Sequence, residues 1–435
     1  MNFLKLSSCG IILFLVGCAH YAPIQKGLIP LSERIDRSRK LVERRRKEAL
    51  LITLKEKAEI LKTRLYANFL ADHSLLVKYK RDELPTQGHF EYTTDLLATL
   101  AFEYGTTKDP TVKLQALRVI MGLIEMDRSN GTLDGFIPYI VKVENEKLVV
   151  VRNDAHSNVY AQLMFSYSAI LNVFDDSILT DLVKSHIQLV VYYFLKTDMI
   201  LKDLEGNKIE HSNLNSKSGS RKLDAMIILE TGLAVMDPSS ILYKMTKTQY
   251  DKFVKKGYKK SGMKLHIRIL IWEIPSHSTD WLNFTRLYSL VQTTDSGAYK
   301  KTVKRLYKSQ RKECNPFFDV VYMSCLKDYD LELKKRVKKF LLSFPLNLDQ
   351  SEIINSRNKE VKLRWIPVLT KGKYVAEVKK PLLIYQRPLS NFLWKRNPYQ
   401  VDDNFNCDDS LKYSGIDYLL AYWMCRYHGV VSIDD

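Results

Sequence analysis

No CxxC or HExxH spacing occurs in the 435 residues, so the sequence carries no metal-ligand motif, and nothing in it implies a cofactor. No helix-turn-helix, zinc-finger or aromatic RNP pattern accompanies the basic charge, which sets nucleic acid aside as a partner. Six cysteines, seventeen glycines and thirteen prolines are too few for a disulfide scaffold or a collagen-like chain. What remains is ordinary for a globular protein: 46% hydrophobic and 27% charged residues, in a chain long enough to bury a sizeable core.

The first segment, MNFLKLSSCGIILFLVGC, has one cation at Lys5, then an apolar stretch from Ile11 to Val16. It is too short to span a bilayer, which needs about 20 apolar residues, and reads as a cleaved secretory signal. Its end, Leu15-Val16-Gly17-Cys18, resembles the lipobox of bacterial lipoproteins. That resemblance implies removal of residues 1–17, acylation of Cys18 and attachment to membrane lipid through it. Two or three acyl chains anchor durably where one does not. Ala19 follows, and the sorting rules of lipoproteins then favour the outer membrane of the cell envelope over the inner one.

Loss of Lys5 with the leader lowers the formal net charge only from +18 to +17. An exported protein so basic has anionic lipid headgroups, anionic glycans or other acidic envelope polymers as its electrostatic partners. Besides Cys9 and Cys18, four cysteines remain: Cys314, Cys325, Cys407 and Cys425. An oxidising compartment permits two disulfides among them, and four free thiols are the alternative.

Residues 18–31 read as a linker. From Ser32 to Glu48 twelve of seventeen residues are charged, and Leu41, Leu50, Leu51, Leu54, Leu61 and Leu65 recur at helical intervals. The pattern predicts a charged helical stalk over 32–72. Its cations suit either contact with anionic headgroups or a solvated face of i,i+4 pairs. From Glu91 on, helices of 12 to 20 residues arrive in pairs joined by short polar turns. Examples are Thr94–Tyr104 with Val112–Met126, the latter capped by Asp109 with Pro110 at its first position. The run "YIVKVENEKLVVV" predicts a β-hairpin and "LKDLEGNKIEHS" a hairpin-like loop; "MKLHIRILIWEI" fits strand or helix. The expected fold is all-α: stacked helical hairpins over 73–435, with residues 346–435 as a C-terminal cap.

Several blocks carry a resemblance: "YTTDLLATLAFEYGTTKDPTVKLQALRVIMGLIEMDRSNGTLDGFIP", "DAHSNVYAQLMFSYSAI", "HSTDWLNFTRLYSLVQ", "QRKECNPFFDVVYM", "RPLSNFLWKRNPYQVD" and "SGIDYLLAYWMCRYHG". They are similar to those of bacterial six-hairpin (α/α)6-toroid proteins, related in fold to glycoside hydrolases, polysaccharide lyases and sugar epimerases. The resemblance implies a central funnel lined by inner helices whose starts face one mouth. Matching the blocks places there Asp95, Arg152, Asp154, His156, Asn158, Tyr160, His277, Asp280, Asn283, Arg387, Trp394, Asn397, Tyr399, Asp417, Trp423, Arg426 and His428. Glycoside chemistry uses two carboxyl groups about 5 to 9.5 Å apart, one kept protonated by burial. Asp154, Asp280 and Asp417 are the candidate catalytic acids, and Trp394 and Trp423 the candidate sugar platforms.

Each has a plainer explanation. Asp154 suits a turn before a helix, His156 a loop, and Asp280 the cap of a helix that begins at Trp281. Trp423 stands at core spacing with Leu419 and Leu420. Arg387, Trp394, Arg396 and Tyr399 lie in a proline-bounded segment that suits a ligand contact or a brace between domains. Related proteins often carry an acid where this chain has Asn158 and a glycine where it has Ala161. An amide does not exchange a proton at neutral pH, so the resemblance leaves binding without turnover open beside catalysis.

Overall fold

The computed structural model describes residues 29–77, 87–261, 267–269, 272–274, 276–349, 352–368, 373–390, 392–402 and 411–435. The leader, Cys18 and most of the expected linker lie outside the described residues, as do Cys407 and part of the "MKLHIRILIWEI" segment.

In chain order the helices are α1 (Leu31–Leu50), α2 (Leu54–Asn68), α3 (Phe90–Thr107), α4 (Pro110–Arg128), α5 (Ser157–Val173), α6 (Ser177–Lys196) and α7 (Gly219–Val235). They continue with α8 (Ile241–Lys255), a single turn α9 (Tyr258–Ser261), α10 (His277–Thr294), α11 (Gly297–Gln310), α12 (Pro316–Leu326), α13 (Leu331–Leu342) and α14 (Ile416–Tyr427). The turn chemistry is local. Asp109, Asp176, Asn315 and Asp330 each accept a backbone N–H at the start of α4, α6, α12 and α13. Thr53 and Glu56 form a reciprocal capping box on α2.

Six helices make the inner wall. In order, α3, α5, α7, α10, α12 and α14 each pack on the next, and α14 packs on α3, so the ring closes. Outside it, α4 lies on α3, α6 on α5, α8 on α7, α11 on α10 and α13 on α12. The architecture is the all-α toroid of helical hairpins. Strands are minor: β1 (Leu70–Ala71) with β2 (Leu75–Leu76), and β3 (Gln87–His89) with β4 (Ile140–Glu144) and β5 (Lys147–Arg152). The pairs β6 (Ile200–Lys202) with β7 (Lys208–Asn213), β8 (Ile267–Ile269) with β9 (Trp272–Ile274), and β10 (Leu363–Val368) with β11 (Lys373–Val378) are antiparallel hairpins. The hairpin expected around Glu144-Asn145-Glu146 forms as β4 and β5, with both tip residues Asn145 and Glu146 left-handed.

The segment read as a stalk divides. Leu54, Ala58, Leu61 and Leu65 of α2 are buried in the main core, where α2 packs on α14 and α13 and reaches α3 and α4 through Lys62–Glu103 (2.5 Å) and Tyr66–Gln115 (2.6 Å). It fills the outer layer between α13 and α4 instead of projecting from the ring, because its leucine stripe needs an apolar partner. Helix α1 is braced on the C-terminal cap: Arg34 pairs with Glu352, Arg45 donates to the Asp349 carbonyl at 3.1 Å, and Ile354 N–H donates to Ser38 Oγ at 2.8 Å. Its outer face is laced by internal pairs, Arg37–Glu33 and Lys40–Asp36 among them. Among the described residues no helix is long and apolar enough to cross a membrane. The described cysteines, Cys314, Cys325 and Cys425, are free thiols.

Candidate functional site at the toroid mouth

Residues seven apart on a helix lie two turns apart on one face. Phe102 of α3, Phe165 of α5, Tyr288 of α10 and Phe317 of α12 meet on the axis: Phe165 lies 6.2 Å from Phe102, 5.7 Å from Tyr288 and 6.5 Å from Phe317, centroid to centroid. The axis is therefore filled by aromatic rings at that level, and the hollow implied by the resemblance does not run through the ring. Seven residues before Phe102 stands Asp95; seven before Tyr288 stands Trp281. A polar layer thus sits on the same inner faces, nearer the N-terminal ends of the inner helices.

Asp95 is 1% exposed and accepts one bond, from Gln162 Nε2 of α5 at 3.2 Å. Burial pushes its carboxyl up to about 8; the Lys395 ammonium pulls it down, while Glu91 and Asp417 push it further up. Asp417 of α14 accepts the backbone N–H of Leu393 at 2.8 Å and of Tyr418 at 3.0 Å, yet burial still holds it up at about 7. Lys395 enters this layer from the cap, paired with Glu91 and standing 4.1 Å from the centroid of the Trp281 ring. Tyr139 OH donates to the other oxygen of Glu91 at 3.0 Å. A second polar group joins α5, α7 and α10: Ser157 Oγ donates to Asp224 at 3.0 Å and Arg286 pairs with Asp224 at 2.5 Å. The same guanidinium donates to Ser220 at 2.7 Å and to Asn283 at 3.0 Å.

Four buried polar atoms in these two groups have no partner among the described residues: Asp95 Oδ2, Gln162 Oε1, Trp281 Nε1 and Asn283 Nδ2. Buried polar groups are nearly always paired, and leaving one unpaired costs about 1–3 kcal/mol. The set holds both donors and acceptors. A neutral Asp95 adds a hydroxyl donor, the state a general acid needs.

The residues singled out from the sequence fall in several places. Asp95 and Asp417 come together through Lys395, with Trp394 behind them donating Nε1–H to the Asp417 carbonyl at 2.6 Å. Asn283 belongs to the second group. Asp154 stands outside this layer, 45% exposed and gripped by both arms of Arg152 at 3.0 and 2.7 Å; burial would raise its carboxyl, but Arg152 lowers it below the usual range. His156 is exposed and Asn158 half-buried at the start of α5. Tyr160 is fully buried, its hydroxyl accepting Ile137 N–H at 2.8 Å. Asp280 is buried against Gln310 of α11, hence turned to the outer layer, and His277 Nδ1 meets Glu313 at 2.9 Å. Arg387 is buried with Nε on the Leu382 carbonyl at 2.9 Å, and burial lowers it to about 10. Tyr399 OH donates to Lys312 O at 2.8 Å, Asn397 to Glu377 at 3.3 Å and Arg426 to Tyr422 at 3.1 Å. Trp423 is 5% exposed beside Tyr422.

Sequence reading missed Glu91, Gln162, Asp224, Trp281, Arg286 and Lys395. Charged Glu91 and Asp95, four apart at the head of the otherwise apolar "LLATLAF" helix, were the available signal. Among the described residues no cluster of His, Cys, Asp and Glu could hold a metal ion.

Fold and site together define a closed (α/α)6 toroid with an acid-bearing polar layer at one end of its axis. No family model matches the chain, and no curated protein matches it. Among solved structures, that of a D-mannose isomerase is similar, with a TM-score of 0.47 and 11% identity, over 87% of this chain and 97% of that one.

Proposed function

We propose that this protein is a bacterial envelope lipoprotein, tethered through Cys18, whose toroid binds a carbohydrate at the N-terminal end of the inner helices. The observation that carries the binding reading is the set of unpaired buried polar atoms, Asp95 Oδ2, Gln162 Oε1, Trp281 Nε1 and Asn283 Nδ2. A polyhydroxylated ring supplies donors and acceptors in alternation, and pairing them recovers what their burial costs. The test is an array of neutral and acidic glycans probed with the full chain and with Asp95→Leu. Retention of a glycan class by the native chain and its loss in the variant supports the reading; equal retention by both overturns it.

Turnover is a second reading, favoured by one feature: Asp95 is kept neutral at physiological pH while neighbouring Glu91 is ion-paired with Lys395. A neutral carboxyl beside one held in an ion pair suits acid-base sugar chemistry, which needs two carboxyls in different environments. Asp95→Asn separates the readings, since the amide still donates a hydrogen bond but supplies no proton. Retained glycan with no product from the native chain rules turnover out. The anchor is tested apart from both, by mass spectrometry of the mature amino terminus: an acylated Cys18 supports it and an unprocessed leader removes it.

A further inference from the structure

The basic charge is not spread over the molecule. The stretch 241–261, which is α8, α9 and the turn between them, carries seven lysines against one acid, Asp251. The stretch 297–313, which is α11 and the turn after it, carries seven cations against Glu313, and α13 five against Glu332. These neighbouring outer segments hold nearly all of the chain's net +18. They are also adjacent in space: α8 packs on α9, α9 on α11, and α11 and α13 both flank α12.

The few acids here are already taken. Asp251 pairs with Lys247 at 2.6 Å, Glu332 with Lys335 at 2.8 Å, and Glu313 is buried on His277, while acids of adjoining elements take Lys259, Lys300, Arg336 and Lys338. Lys252 and Lys255 on α8 with Lys256 just after it, and Lys301, Lys304 and Lys308 on α11, are exposed and make no ion pair among the described residues. Their spacing puts each set on one helical face. On α8 that face begins with Ile241, 78% exposed, and Met245, 45% exposed, one turn apart. Helix α1 is a contrast within the molecule: it is rich in cations, but Arg37, Lys40 and Arg44 each meet an acid of the same helix.

We infer that the outer wall formed by α8, α9, α11 and α13 docks on an anionic phospholipid surface. Three features favour a membrane over an acidic polymer. The wall is the outside of a closed ring, hence convex, and a convex row of charges meets a plane more fully than it wraps a chain. Its cations are mainly lysines, diffuse point charges and not the planar forks that read individual carboxylates. The exposed Ile241 and Met245 beside them supply the apolar contact of an interfacial helix.

The experiment is sedimentation of the full chain with vesicles of equimolar phosphatidylglycerol and phosphatidylcholine, and with pure phosphatidylcholine. Using the full chain throughout makes any contribution of the apolar leader common to every arm. Each cation near the surface is worth about fivefold in partition. Lys301→Gln/Lys304→Gln/Lys308→Gln should therefore weaken binding to the anionic vesicles about a hundredfold. The control Arg37→Gln/Lys40→Gln/Arg44→Gln should change it by no more than about twofold, because those cations are already matched by acids. Circular dichroism checks that both variants stay folded, as exposed positions allow. Equal binding to both vesicle types, or equal loss in both variants, overturns the inference. So does retention on polygalacturonate, lost in the α11 variant, by a chain that ignores anionic vesicles.

Discussion

The hydroxyl of Tyr288 lies 2.9 Å from Nε2 of His428, tying α10 to the end of α14 where the aromatic rings close the axis. Burial lowers the imidazole to about 3, so it is neutral in the folded protein across the usual pH range. The unfolded chain binds this proton near pH 6.5, the folded one only near 3. Below pH 6.5 the unfolded state therefore binds more protons, and stability falls as the solution is acidified. His428→Gln keeps an acceptor for the tyrosine without the titration. Urea unfolding at pH 7 and pH 4 should show the native chain losing about 2 kcal/mol relative to the variant, less than a fully buried ring would give because His428 keeps some contact with water. A gap that is independent of pH would refute the assignment.

Asp95 works in the opposite direction. Its folded carboxyl ionises near 8 and its unfolded one near 3.8, so what it contributes is intact below pH 4 and disappears as pH rises to 8. Asp95→Asn mimics the neutral acid without titrating. Thermal unfolding should find the variant close to the native chain at pH 4.5 and clearly more stable at pH 8.5, by an amount on the order of 3 kcal/mol. Asp417→Asn should behave differently, because both its oxygens accept backbone N–H groups and an amide nitrogen opposes one of them. That variant should be destabilised by about 1–3 kcal/mol at pH 4.5, where the native carboxyl is neutral, and the deficit should shrink as pH rises through 7 and the native carboxyl ionises.

Three buried groups link α4, α5 and α6 in series: Asp127 Oδ2 lies 2.9 Å from His186 Nε2, and His186 Nδ1 lies 2.6 Å from Tyr167 OH. Asp127 also accepts the Gly135 N–H at 2.9 Å. His186→Leu leaves a carboxylate and a hydroxyl without their shared partner in the interior. Chemical denaturation should register a loss of about 3–5 kcal/mol, and a loss below 1 kcal/mol would mean that the series carries little of the packing there.

The paired helices were legible because their apolar residues keep a helical period while aspartates and prolines punctuate the turns. Helix α12 was not, since "PFFDVVYMSCL" is apolar almost throughout and shows no period. The stalk reading misled for a related reason. Charge dominates α1, and only the narrow face of Ser38, Arg45 and Ala49 reveals that it is seated on the cap. As for the site, Asp95 and Asp417 could be placed from their blocks. Lys395 could not be joined to Glu91 from sequence, because 304 residues separate them and only the closed ring brings them together.

Lys57 of α2 is fully buried and donates to three backbone carbonyls: Ala49 at 3.1 Å, Leu342 at 2.6 Å and Phe344 at 2.6 Å. These are the ends of α1 and α13, where carbonyl groups have no partner of their own and the helix dipoles are negative. One ammonium thus holds the α1–α2 corner to the outer layer. Burial lowers it to about 7, well below the value it has in the unfolded chain, so its desolvation opposes folding at neutral pH and the three bonds offset that cost. Lys57→Met fills the same space and removes the bonds together with the charge. If the bonds dominate, the variant is destabilised by about 2–4 kcal/mol at pH 7, and hydrogen exchange at the end of α13 quickens. If desolvation dominates, the variant is as stable as the native chain or more so, as when buried ion pairs are replaced by apolar side chains. The geometry favours the first outcome, because three carbonyls match the three hydrogens of an ammonium and methionine leaves all of them unpaired in the interior.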